Sequence, residues 1–100
     1  MEATFIPDTT QGRPKDKARL YKLSKPYWFS EHDSCDYVLV VCHHLQSQVY
    51  PAYRDGTVDT WMFDYVYTAP EGRVDRTFDE TLEEFFKHIE EQDRINKETA

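Results

Sequence analysis

Six residues of types that hold metals or act as nucleophiles, His32, Asp33, Cys35, Cys42, His43 and His44, fall within thirteen positions of this chain. A zinc site needs three or four such groups to converge on one point, as short Cys-x-x-Cys or His-x-x-x-His spacings do. A thiol nucleophile needs a base such as His43 within hydrogen-bonding reach of Cys42. Both outcomes depend on the backbone between them. "YVLVVC" at 37–42 is a strand-sized apolar run rich in β-branched valine. Extended, it holds the Cα atoms of Cys35 and Cys42 roughly 23 Å apart, well beyond the limit of about 7 Å for a disulfide. Cys42 and His44 then share a face while His43 points to the other. The spacing therefore predicts reduced thiols, with a buried thiol and two edge histidines as the plain reading. It leaves open whether His32, Cys35, Cys42 and His44 bind a metal, and it calls for no cofactor.

Other routes to catalysis are equally thin. The chain has three glycines, Gly12, Gly56 and Gly72, and no glycine-rich phosphate loop. Carboxylate pairs such as Asp79 with Glu83 and Glu80 with Glu84 recur at helical spacing, where they read as solvated charges. The expectation is a protein that is not an enzyme. No apolar run approaches the roughly 18–20 residues of a membrane span, and "MEATFIPDTT" lacks the basic start and apolar stretch of a secretory signal. A cytoplasmic protein is expected.

The elements that must position these groups follow from local pattern. Residues 1–17, with Pro7, Gly12 and Pro14, read as a loose basic and polar arm, and residues 18–100 as one domain. "ARLYKL" at 18–23 alternates as a short strand ending before Pro26. The apolar run at 37–42 suits an inner strand covered on both faces. Asp55-Gly56 is a two-residue hairpin turn signal. It sets Arg54 opposite Thr57, Tyr53 opposite Val58, Tyr50 opposite Trp61 and Val49 opposite Met62. Pro51 marks strand 48–54 as an edge or a bulge. Thr77-Phe78-Asp79-Glu80 matches the capping box that opens a helix, and Phe78, Leu82, Phe85, Phe86 and Ile89 form one apolar stripe along it to about Asn96.

"TWMFDYVYT" at 60–68 places Trp61, Phe63, Tyr65 and Tyr67 at every second position. On a strand spanning 57–68, four rings would share one face. That face could be core, a partner surface or a platform for stacking bases. Burying a Phe-sized side chain contributes about 1.5–3 kcal/mol, so a chain this small needs both the helix stripe and the rings inside, and core is the favoured reading. The fold expected is α+β: a three- to four-stranded, mainly antiparallel sheet with one C-terminal amphipathic helix packed on a face.

Charge bears on partners. Residues 1–30 carry six basic and three acidic side chains, residues 31–100 six basic and sixteen acidic, giving the net −7. Asp79, Glu80, Glu83, Glu84, Glu90, Glu91 and Asp93 line the outer side of the predicted helix, a surface able to occupy the phosphate sites of a basic protein. The rival readings are a nucleic-acid-binding accessory protein using the basic arm and a self-assembling structural protein. A homodimer through edge strand 48–54 is a further possibility. Neither a membrane nor a small-molecule substrate is expected as a partner.

"YVLVV", "VYPAYRDGTVDTWMFD" and "DETLEEFF", within residues 37–86, resemble small accessory proteins of actinobacterial phages. The resemblance implies a protein of the host-cell cytoplasm that binds a host or defence protein, as anti-CRISPR inhibitors do. Together with the acidic helix, it makes a phage-type inhibitor the expected function, with a partner that presents a basic, nucleic-acid-binding surface.

Overall fold

The apolar run that sequence places innermost is the centre of the sheet. In a computed structural model, describing residues 1–7, 17–42, 46–70 and 76–99, it forms strand β3, Ser34–Cys42. Its alternation serves two cores at once. Val38 and Val40 project into one buried cluster and Leu39 into another on the opposite face. Among the described residues five strands make one antiparallel sheet in sequential order: β1 (Ala3–Ile6), β2 (Ala18–Trp28), β3, β4 (Ser47–Ala52) and β5 (Tyr67–Thr68). The expected α+β architecture holds, with five strands rather than three or four.

Register keeps like with like. Leu20 pairs with Leu39 and Leu39 with Tyr50, all on one face. Tyr21 pairs with Val38 and Val40 with Val49 on the other. The second face receives α1, Phe78–Thr99, which lies over β3 and β4. Its capping box forms as the sequence predicts: Glu80 N–H donates to Thr77 Oγ1 at 3.1 Å, and Thr77 N–H donates back to Glu80 Oε1 at 3.4 Å. The apolar stripe then seats Phe85, fully buried, edge-on to Tyr27 with ring centroids 5.0 Å apart and tilted against Tyr67 at 5.5 Å. Thr81 is buried on the same side. Its hydroxyl donates to Thr77 O at 2.8 Å and lies 3.5 Å from Cys42 Sγ.

Five expectations are corrected. Residues 1–17 are not wholly a loose arm, because Ala3–Ile6 pair with Ile6 opposite Leu20 and Phe5 opposite Tyr21; residues 8–16 lie outside the described residues. β1 escaped notice because four residues flanked by polar groups and Pro7 carry too short a pattern. Strand β2 does not stop before Pro26 but continues to Trp28, through a register shift between Lys22 and Tyr27 that accommodates a residue without an amide donor.

The hairpin turn is one residue longer than expected. Tyr53 N–H donates to Thr57 O at 2.9 Å and Gly56 N–H to Tyr53 O at 2.9 Å, so Tyr53 faces Thr57 across a three-residue loop. Gly56 takes φ 86° there, as the last residue of such a loop requires, and Thr57 N–H donates to Asp55 Oδ1 at 2.9 Å. A slip of one residue exchanges the two faces of everything that follows. Nor is there one continuous strand over 57–68. Residues Thr60–Tyr65 coil into a 3₁₀ helix anchored by buried Met62, and pairing resumes only where Tyr67 meets Val49. Strand β4 is therefore not the sheet's edge. β5 covers it at Gln48 and Val49, and the 3₁₀ helix packs beside it, with Phe63 edge-on to Tyr50 at 5.9 Å.

Candidate interaction surface

The seven helix carboxylates fall into two groups. Glu80 is engaged in the cap, and Glu84 is drawn inward by Arg76. That arginine is buried, its Nε donating to Glu84 Oε2 at 2.6 Å and its Nη2 to Pro70 O at 2.8 Å. These contacts tie the segment after β5 to the helix, so neither acid is spare for a partner. Glu91 is exposed and pairs with Arg94 one turn on. Asp79, Glu83, Glu90 and Asp93 are exposed, and their carboxylates form no ion pair with another described residue. At about 100° per residue, all four lie within about 40° of one line along the helix. They make a negative stripe along the exposed side of the helix, its last member Asp93 also bordering the groove against β2, with Lys87 and Arg94 beside it.

At the start of that stripe, Arg19 of β2 lies over the ring of Phe78 at 4.4 Å and that of Phe5 at 5.2 Å. Burial raises the pKa of the neighbouring Tyr21 hydroxyl, Arg19 opposes this, and Asp79 adds a smaller upward push.

The residues that suggested metal or thiol chemistry do other work. Cys35 lies in the core cluster beneath α1, and burial pushes its thiol up to about 11. Cys42 is half-buried beside Thr81, and both cysteines are free. Ser30 Oγ donates to Asp33 Oδ2 at 2.9 Å and accepts from the backbone N–H groups of His32 and Asp33, which shapes the β2–β3 turn. His32 is exposed beside Glu31. Among the described residues no group of three or more His, Cys, Asp or Glu is placed to hold a metal ion; His43 and His44 lie outside them. No described helix is long and apolar enough to cross a membrane.

The aromatic row is divided between core and surface. Tyr67 packs on Phe85 and on His88, at 4.8 Å from the latter. Trp61, Phe63 and Tyr65 stay 45%, 53% and 38% exposed. Phe29 draws two of them together: its ring centroid lies 5.9 Å from Trp61 and 5.3 Å from Tyr65, which are 6.3 Å from each other. Phe29 also meets Tyr27 at 6.1 Å, so rings run continuously from the core to the surface. Sequence reasoning did not foresee this cluster. Its signal was "PYWFS", in which three consecutive aromatics cannot all face one side of a strand. Trp28 is accordingly 62% exposed. It lines a groove of about 620 Å³ between β2 and α1, whose wall includes Lys25 and Asp93 and so carries both signs of charge.

No known family model, curated protein or solved structure matches this chain.

Proposed function

We propose that this protein acts by binding rather than catalysis, docking the outer face of α1 on the basic, nucleic-acid-binding surface of another protein and so inhibiting it. The observation that supports this reading is the stripe of Asp79, Glu83, Glu90 and Asp93, exposed and outside the ion pairs that hold the fold. Fixed carboxylates spaced along a helix offer a basic site what a phosphate backbone offers it, a row of negative charge on a rigid support. The net charge of −7 steers such an encounter at long range. In keeping with the resemblance to phage accessory proteins, the partner is a host or defence protein and the setting is the host cytoplasm.

The test is capture from a bacterial lysate with mass-spectrometric identification, run in parallel with Glu83, Glu90 and Asp93 changed to Lys. A basic protein retained by the native chain and lost by the variant supports the reading. Equal capture by both overturns it.

A further inference from the structure

The rings exposed beside the 3₁₀ helix occupy a distinctive electrostatic setting. Segments 28–36 and 57–68 meet where Phe29 packs on Trp61 and Tyr65. Between them they carry five carboxylates and not one lysine or arginine, although the chain has twelve such cations. Asp59 accepts from the Tyr53 hydroxyl at 2.6 Å and Asp33 is held by Ser30. Glu31, Asp36 and Asp64 are exposed. Two described cations border this surface: Arg54 shares a shallow pocket with Asp36 and Met62, and Lys25 lines the groove beside Trp28, Phe29 and Glu31.

We propose that this aromatic and acidic surface is a second contact site, which takes arginine side chains of a basic protein. The inference rests on the binding role proposed above and adds to it the residues that select the partner's chemistry. The guanidinium group suits the setting on both counts. Its plane stacks on aromatic faces and its fork pairs with carboxylates, whereas a lysine ammonium is a compact, strongly hydrated point charge. Tryptophan and tyrosine are also the residues most often found to anchor interfaces, and they lose little entropy when they do so. Trp61 and Tyr65 are held against Phe29 before any partner arrives, which leaves little ordering to be done on association. A base-stacking role needs a basic groove beside the rings, and these two segments carry the opposite charge.

The site is tested with octa-arginine and octa-lysine peptides of equal charge, titrated at about 50 mM salt against the full chain carrying Trp28→Phe, so that Trp61 is the sole tryptophan reporter. The arginine peptide should shift Trp61 fluorescence and bind more tightly than the lysine peptide. Tyr65→Ala and Asp64→Asn should each weaken the arginine peptide by about two- to fivefold, as exposed cation–π and ion-pair contacts do. Asp64→Asn leaves packing untouched, so it keeps the test decisive should Tyr65→Ala prove unstable. Equal affinity for the two peptides with an unresponsive Trp61, lost on changing Glu83, Glu90 and Asp93 to Lys, overturns this inference and leaves the helix reading standing. Failure of both peptides to bind overturns both readings. Preferential quenching of Trp61 by single-stranded oligothymidine overturns the inference in favour of base stacking.

Discussion

Arg76 and Glu84 form a bridge in which a buried guanidinium donates to Glu84 Oε2 at 2.6 Å while its other arm holds Pro70 O. The pair joins the chain leaving β5 to the second turn of α1. It also removes one acid from the interaction surface, since a carboxylate bound this closely is not available to a partner. Removing one member of such a pair deprives the other, buried charge of its closest counterion. Glu84→Ala should therefore cost about 3 kcal/mol and lower Tm by more than about 10 °C for a domain of this size. Glu83→Ala, one residue away and exposed, should cost no more than about 0.5 kcal/mol. Calorimetry on the two variants checks the contrast.

Phe85 carries the contact between α1 and the sheet. Phe85→Ala should cost about 3–5 kcal/mol and Leu82→Ala about 2–5 kcal/mol, since neither site can collapse around the loss. Urea denaturation of both variants measures this, and native-like midpoints would contradict the packing described.

Gly56 is buried, with φ 86°. Gly56→Val places a β-branched side chain in the left-handed region and should cost about 1–3 kcal/mol. Gly56→Asn, which tolerates that region, should cost less. Comparison of the two melting temperatures separates a backbone requirement from simple crowding.

Burial raises the Cys35 thiol from 9.0 to about 11 and the Tyr27 hydroxyl from 10.0 to about 12. Both groups keep their protons in the folded state at a pH where the unfolded chain has released them. The unfolded state then binds fewer protons, so stability falls as pH rises. The contribution of Cys35 is fully present below about pH 9 and is lost through about pH 11; that of Tyr27 goes between about pH 10 and pH 12. Denaturation midpoints should hold steady from pH 7 to pH 8.5 and decline above pH 9. Cys35→Ala should flatten the first part of the decline.

What the sequence made legible was what depends on local chemistry. The T-x-x-E cap, the helix stripe ending on Ile89, and the two-faced run of Val38, Leu39 and Val40 could all be read because capping, period and burial agree there. The aromatic row misled because a period of two was taken for a strand. Met62, standing between the rings, is the buried residue of the segment, and short 3₁₀ pieces of this kind serve as connectors. Gly56 was correctly singled out, yet the turn signal alone could not distinguish a two-residue loop from a three-residue loop, and the cross-strand partners expected for Tyr53 and Arg54 were off by one.

The candidate surface was legible in part. Seven acids at helical spacing defined an outer face, but which of them serve the fold depended on long-range geometry. Glu84 meets Arg76 eight positions away, and Phe29 meets Trp61 thirty-two positions away. No local pattern encodes either meeting.

The central claim is that the outer face of α1 makes the contact through charge. The most direct test is the association rate with the captured basic partner, measured by surface plasmon resonance at about 50 mM and about 150 mM salt, for the native chain and for Glu83, Glu90 and Asp93 changed to Lys. Screening lengths shorten from roughly 14 Å to about 8 Å over that range. The native association rate should fall steeply with salt. The variant should associate at least about tenfold more slowly at low salt and show little salt dependence, because rim charges act mainly on the encounter. Lys87→Glu should leave the native rate unchanged or raise it. A variant that associates as fast as the native chain, with the same salt dependence, would contradict the claim.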